Sequence, residues 1–170
     1  MKSINPANSE VICEYTPHTK VEILNKINST HEDFLLWKSV SIKDRSSFLS
    51  NLAIELKLHI NEHAKIITSE MGKPITESKA EIEKCIWLCN YYAEHSEKFL
   101  ENQVVKTEAT LSYLSYEPLG VLFGVMPWNF PYWQVFRYIV PSIMAGNGCL
   151  LKHASNVSGC ALAIEELFKN

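Results

Sequence analysis

Hydrophobic positions recur at helical spacing through the first hundred residues. After a polar, turn-rich segment over 1–17, which predicts an extended lead-in, apolar side chains predict a helix over about 19–37. A second helical run begins after Ser41 and keeps its periodicity to Met71. Gly72-Lys73-Pro74 predicts its end, because glycine suits the position after a helix and proline cannot continue one. A third long helix is predicted over about 76–100.

The period then changes from helical to alternating. Residues 104–116 predict two short strands joined by a turn near 108–110, in a hairpin that projects from the body. The continuous apolar run 121–126 predicts a strand that is buried on both faces. A helix over about 131–145, a strand over 149–152 and a helix over 158–168 complete the pattern. Strand-helix-strand-helix is typical of the start of a parallel, doubly wound α/β domain.

Two strands of this unit end in polar segments. The first ends in Met126-Pro127-Trp128-Asn129, and the second in Leu151-Lys152-His153-Ala154-Ser155. Ligands of such sheets bind outside the carboxyl ends of the strands, so neighbouring strands would open both segments on one crevice. A nicotinamide dinucleotide fits that crevice, although the fingerprint GxGxxG of ordinary dinucleotide-binding domains is absent.

Composition narrows the class. The 170 residues are 46% hydrophobic and carry a formal net charge of −3, which favours a soluble domain and argues against nucleic acid or an anionic membrane as partner. No signal-like or membrane-spanning run is apparent, so we expect the cytoplasm. Five cysteines argue against a disulfide framework, and we interpret Cys85 and Cys89 as core residues rather than metal ligands. We predict no metal site and expect most of the histidines at the surface.

Four local motifs carry a family resemblance. They are Glu117-Pro118-x-Gly120-Val121, Pro127-Trp128-Asn129-Phe130-Pro131, Ala145-Gly146-Asn147 and Lys152. In their order and spacing the chain resembles the aldehyde dehydrogenase superfamily, closest to bacterial NAD(P)-dependent succinate-semialdehyde dehydrogenases. The resemblance implies that residues 1–170 form an incomplete N-terminal, Rossmann-like NAD(P)-binding domain. This part includes N-terminal helices and an oligomerisation-type β-hairpin over about 102–117.

The family's reaction assigns two further roles. An aldehyde is oxidised to a carboxylic acid with NAD or NADP: a cysteine thiolate attacks, a hydride leaves, and a glutamate-activated water releases the acid. Asn129 matches the family's oxyanion-stabilising asparagine. Its local sequence alone favours a helix N-cap, and the match to Pro-Trp-Asn-Phe-Pro reverses that preference. Arg137 matches an arginine that binds the carboxylate of succinate semialdehyde. Its alternative is an exposed arginine whose stem covers the helix.

The resemblance also implies a set of cofactor-binding residues. They are Met126, Pro127, Trp128, Asn129, Lys152, His153, Ala154 and Ser155. Lys152 matches the lysine that hydrogen-bonds the adenine ribose, with a solvated strand-end charge as the alternative. Many NAD-preferring members carry a glutamate where this chain has Ser155, so we expect NADP to be accepted beside NAD. The alternative for Ser155 is a simple turn residue.

The family's nucleophilic cysteine and base glutamate match no residue of this chain. We therefore expect that the catalytic domain is absent and that these residues alone are inactive and pair or aggregate. The resemblance also implies that the full-length enzyme is a homo-oligomer, a dimer or tetramer. Three alternatives remain open. They are a broad-specificity aldehyde dehydrogenase, a non-catalytic nucleotide-binding remnant and a purely structural oligomerisation fragment.

Overall fold

A computed structural model of the protein describes residues 1–169. An N-terminal hairpin leads into four helices, a second small hairpin follows, and a strand–helix–strand–helix unit ends the chain. The helices are α1 (Lys20–Trp37), α2 (Ile42–Leu58), α3 (Ile60–Met71), α4 (Ile75–Phe99), α5 (Trp133–Met144) and α6 (Ser158–Leu167). The strands are β1 (Lys2–Ile4), β2 (Val11–Glu14), β3 (Gln103–Val104), β4 (Tyr113–Leu114), β5 (Val121–Met126) and β6 (Gly148–His153).

Local chemistry sets several helix ends where the sequence predicts them. Thr19 and Glu22 form a capping box at the start of α1, and the Ser41 hydroxyl accepts from the Asp44 N–H at the start of α2. At the end of α3, Gly72 adopts a left-handed conformation with φ 76°, which costs a glycine nothing. The predicted stop at this position is therefore confirmed.

Two predictions for the N-terminal half are wrong in detail. The lead-in folds back on itself, because β1 and β2 pair antiparallel. The single helical run from Ser41 to Met71 is broken at His59, whose φ of −105° and ψ of 18° lie outside the helix. The break reorients the chain so that α2 and α3 each bury an apolar face against α4.

The second hairpin is present but short. Its strands β3 and β4 contribute two residues each, and the Val105 N–H extends the pairing by donating to the Ser112 carbonyl at 2.8 Å. Val104 and Leu111 are 77% and 66% exposed, so the hairpin projects from the body without a packing surface.

Strands β5 and β6 pair in parallel, from Val121 opposite Gly148 to Met126 opposite His153. The connecting helix α5 packs so closely on β5 that a Cβ at Gly124 would lie 2.5 Å from the Tyr138 ring. The prediction that β5 is buried on both faces is wrong for this chain. Phe123 and Val125 are 66% and 63% exposed, because no element within residues 1–169 covers that face.

The core lies between the helices and against α5. Its largest fully buried apolar side chains are Leu49, Leu56, Ile67, Ile82, Pro131, Val135, Phe136, Val140, Met144, Val157 and Ile164. Cys85, Cys89 and Cys160 are buried among them, as expected of core cysteines, and all five cysteines are free thiols. Among the described residues, no helix combines the length and the apolar composition that a membrane crossing requires.

Candidate functional site

The carboxyl ends of β5 and β6 form one edge of the parallel pair. Met126 and His153 are register partners and the last residues of their strands. The turn 127–132 and the 3₁₀ turn Ser155–Val157 therefore leave the sheet side by side. We name this edge, with residues 126–129 and 152–155, the strand-tip site.

The side chains of the strand-tip site are open to a ligand. Pro127, Trp128, Asn129, Lys152 and Ser155 are exposed, and Trp128 keeps half of its surface in contact with solvent. Met126, His153 and Ala154 are half-buried and form its floor. The structure thus brings all eight residues of the predicted cofactor set to one edge.

The N-cap interpretation of Asn129 is wrong. Helix α5 begins later, with Tyr132 at the N-cap position and no side-chain cap from its own segment. Asn129 lies three residues earlier in the turn, exposed and outside the helix. Its side-chain amide therefore does not cap the N-terminus of α5.

A buried carboxylate from another helix supplies the missing cap. The Glu81 side chain, on α4, accepts the Tyr132 N–H at 2.8 Å and the Trp133 N–H at 2.9 Å through one oxygen. Its other oxygen pairs with the ammonium of Lys73. The two side chains are 1% and 10% exposed, so this ion pair is largely removed from water.

Two more contacts hold the same turn. The Lys73 ammonium lies 3.8 Å from the centroid of the Phe130 ring, within cation–π distance. The Tyr132 hydroxyl lies 2.8 Å from Nδ1 of His63, a buried histidine that departs from the surface position expected of most histidines. Burial lowers the pKa of His63, which favours the neutral ring.

His153 joins the two strand tips. Its Nδ1 accepts from the Ala154 N–H at 2.8 Å, so the ring proton is on Nε2, which donates to the Pro131 carbonyl at 2.9 Å. Burial lowers the pKa of His153, in keeping with this neutral tautomer. Both ring nitrogens therefore form hydrogen bonds with the backbone, and His153 connects the turn after β5 to the end of β6.

A second buried carboxylate closes the start of α6. The two oxygens of Glu70, which is 4% exposed, accept from the Gly159 and Cys160 N–H groups, each at 2.8 Å. Sequence reasoning missed both Glu70 and Glu81. A signal existed for Glu81: it shares a helix face with Ser78 and Cys85, three residues before and four residues after it.

Arg137 lies on α5, one helical turn after Trp133, and its side chain is exposed. The Trp133 ring carries the ammonium of Lys84 at 4.0 Å from its centroid. Residues one turn apart share a helix face, so Arg137 lies on the face of α5 that carries Trp133. Arg137 forms no ion pair with any residue within 1–169.

The profile of the aldehyde dehydrogenase family matches residues 1–170. The chain belongs to the aldehyde dehydrogenase family. The resemblance seen in the local motifs is thereby confirmed over the whole sequence.

Two relatives of this aldehyde dehydrogenase chain are both described as succinate-semialdehyde dehydrogenases. The chain is 44% identical over 167 residues to a probable NADP(+) succinate-semialdehyde dehydrogenase of Synechocystis, covering 98% of this chain and 37% of that protein. It is 41% identical over 168 residues to the NAD(P)+ succinate semialdehyde dehydrogenase Sad of Escherichia coli, covering 99% of this chain and 36% of that protein. The aldehyde dehydrogenase chain thus spans little more than a third of the length of these relatives.

A solved structure agrees with the fold of this aldehyde dehydrogenase chain. The succinic semialdehyde dehydrogenase of Streptococcus pyogenes, in complex with NADP+, superposes with a TM-score of 0.95 at 30% sequence identity. The match covers 99% of this chain and 37% of that chain. The predicted class, the N-terminal part of an aldehyde-dehydrogenase α/β fold, is therefore confirmed.

Proposed function

We propose that this chain is the N-terminal part of a succinate-semialdehyde dehydrogenase that oxidises succinate semialdehyde to succinate with NAD+ or NADP+. The observation that carries the proposal is the parallel pairing of β5 and β6, in which Met126 and His153 end at the same edge. The amide of Asn129 and the ammonium of Lys152 then face one ligand. The two relatives described above support the choice of substrate.

In this proposal the chain supplies binding and charge stabilisation. Addition of a thiolate to the aldehyde carbon turns the carbonyl oxygen into an oxyanion, and the Asn129 amide donates a hydrogen bond to it. Removal of one such donor typically costs about 100- to 1,000-fold in rate. NAD(P)+, when bound, accepts the hydride from the substrate carbon.

The nucleophile is proposed to lie outside residues 1–170. Cys13 lies on β2, outside the strand-tip site. Burial raises the pKa of the other four thiols, that of Cys149 to about 11, that of Cys89 to about 12, and those of Cys85 and Cys160 as well. A thiol with a raised pKa is a weak nucleophile at neutral pH, because the thiolate is the reactive form. We therefore propose that residues 1–170 alone do not oxidise aldehydes.

The cofactor contacts are proposed from chemistry at the tip of β6. The exposed Lys152 ammonium can donate to the hydroxyls of the adenosine ribose, and Ser155 offers a neutral hydroxyl nearby in the chain. Met126 and Ala154 are half-buried and are proposed to form the surface on which the cofactor packs. These donors fit the sugar end of a dinucleotide.

Arg137 is proposed to select an acidic aldehyde. Its exposed guanidinium can bind the substrate carboxylate with two parallel N–H donors. A lysine offers a point charge without that fork, so the two residues are not equivalent at such a site. In a broad-specificity aldehyde dehydrogenase, this charge would not contribute to binding, because neutral aldehydes have no carboxylate to pair with it.

The test uses a family-length polypeptide, in which this chain is followed by the remainder of an aldehyde dehydrogenase sequence. It compares the oxidation of succinate semialdehyde with that of butanal. Hydrogen bonds to charged groups contribute about 1.5–3 kcal/mol. Arg137→Met should therefore lower kcat/KM for succinate semialdehyde about 10- to 100-fold and leave that for butanal within about threefold. Arg137→Lys should recover part of the loss. An equal effect on both aldehydes would favour the broad-specificity enzyme.

We further propose that residues 1–170 form the incomplete NAD(P)-binding domain of a cytoplasmic homo-oligomer. The hairpin over about 102–117 is the proposed contact between subunits. Its support is the exposure of apolar side chains on both of its arms, Val104 at 77% and Leu111 at 66%.

A further inference from the structure

The turn between β5 and α5 is held by charges that lie far from it in sequence. Lys73 follows α3, and Glu81 lies in the second turn of α4, 51 residues before Tyr132. Charged side chains removed from water are unfavourable unless they are fully bonded. Glu81 meets this condition with three partners: the Lys73 ammonium and the N–H groups of Tyr132 and Trp133.

Glu81 determines where the turn stops. The first N–H groups of a helix have no partner within the helix, and a carboxylate at that end is favoured by the helix dipole. Because Glu81 binds two of these groups and is buried on α4, it fixes the position of Tyr132 relative to the core.

Lys73 extends this restraint to the residue next to Asn129. One side of its ammonium meets Glu81, and the Phe130 ring lies 3.8 Å away. On the other side of the turn, Met126 is fixed by its place in the sheet. Asn129 stands three residues after Met126 and three before Tyr132, in the middle of a segment fixed at both ends.

We propose that Lys73 and Glu81 form a positioning pair that holds the Asn129 amide at the reacting oxygen. This inference rests on the proposed function, which gives Asn129 its oxyanion role. An oxyanion donor acts at about 2.7–3.1 Å, and a displacement of about 1 Å costs roughly 100-fold in rate. A loosened turn should therefore reduce catalysis while the surfaces that bind cofactor and substrate remain.

The experiment uses the family-length polypeptide with succinate semialdehyde and NADP+. Glu81→Leu should lower kcat about 100-fold, and should leave KM for the aldehyde and Kd for NADP+ within about threefold. Glu81→Gln keeps an acceptor oxygen for both amides but turns an NH2 donor towards the Lys73 ammonium, so it should recover only part of the loss. Glu83→Gln, on an exposed position of the same helix, is the matched control and should leave kcat unchanged.

A double-mutant comparison separates positioning from a general structural role. If Glu81 acts through Asn129, adding Glu81→Leu to Asn129→Ala should lower kcat no more than about threefold further. If the two losses multiply instead, the positioning role is overturned. Should Glu81→Leu fail to fold, Lys73→Met, which leaves the Glu81 cap in place, is compared with Asn129→Ala in the same way.

The two proposals fail differently. If Asn129→Ala leaves kcat unchanged, the oxyanion role is wrong and the proposed function loses its main support. If Asn129→Ala lowers kcat strongly while Glu81→Leu and Lys73→Met stay within twofold of the unmodified enzyme, the positioning pair alone is overturned.

Discussion

Ser155 places a neutral hydroxyl at the strand-tip site, directly after the last residues of β6. Its side chain is exposed, so a charge introduced there would face whatever binds beside Lys152. A carboxylate can accept hydrogen bonds from ribose hydroxyls but repels a phosphate. A single residue is thus expected to decide how well the 2′-phosphate of NADP+ is tolerated.

Ser155→Glu in the family-length enzyme should raise KM for NADP+ at least about tenfold, because the new carboxylate and the 2′-phosphate repel each other. KM for NAD+ should stay within about threefold. Ser155→Gln, of the same size without the charge, is the control. Initial rates measured with both cofactors check this, and an equal rise in both KM values would contradict it.

Site residues could be predicted from the sequence where they belong to a short, continuous motif. Asn129, Lys152 and Ser155 stand in short motifs at strand ends, and the structure brings them to one edge. Glu81 was not found, because its partners lie 51 and 52 residues away and only the folded chain brings them together. His63 was missed for the same reason: its burial depends on a contact with Tyr132.

At the scale of elements, Asn147 joins the start of β5 to the end of α5. Its side-chain oxygen accepts from the N–H groups of Leu119 and Gly120 at 2.7 and 3.1 Å. Its side-chain nitrogen donates to the Ser142 carbonyl at 3.2 Å. The residue is 5% exposed, so these bonds are shielded from water. They set the relative position of strand and helix before the strand-tip site is reached.

Asn147→Ala should lower the free energy of unfolding by about 1–3 kcal/mol, because shielded polar groups lose their partners. Urea unfolding of the family-length polypeptide, followed by tryptophan fluorescence, measures the change. Asn51→Ala, at an exposed position of α2, is the control and should shift stability by less than about 0.5 kcal/mol. Equal shifts in the two variants would contradict the role given to Asn147.

Element ends were predictable where a local signal exists. Ser41 and Gly72 mark helix ends by their own chemistry. His59 interrupts the helical run without a glycine or proline nearby, because the break serves packing against α4. The pairing of β1 with β2 was equally hidden, since strands of three and four residues carry little alternation.

For the molecule as a whole, the parallel sheet leaves one face exposed. It consists of β5 and β6, and Phe123 and Val125 present apolar surface on the face that α5 does not cover. Leu119, just before β5, is 86% exposed. Exposed apolar side chains beside an unpaired strand edge favour association with another chain.

Residues 1–170 expressed alone should therefore associate or aggregate, and light scattering after size exclusion should give a mass above 19.4 kDa. Phe123→Lys with Val125→Lys should shift the mass towards the monomer. Leu36→Lys with Leu58→Lys, at positions 72% and 68% exposed on α1 and α2, is the control that adds the same two charges. A monomer that persists at high protein concentration would contradict the prediction.

The carboxylates of Glu70 and Glu81 also constrain how a dinucleotide can lie across this edge. In many α/β proteins the diphosphate rests on the free amides of the helix that follows a strand. Here those amides in α5 and α6 are already bonded to a carboxylate, which would repel a second anion. In the proposed complex the diphosphate would therefore lie outside both helix ends and take its hydrogen-bond donors elsewhere. Within residues 1–169, the chain thus lacks both features of the usual diphosphate site: the glycine fingerprint and, at the start of α5 or α6, a helix N-terminus with free amides.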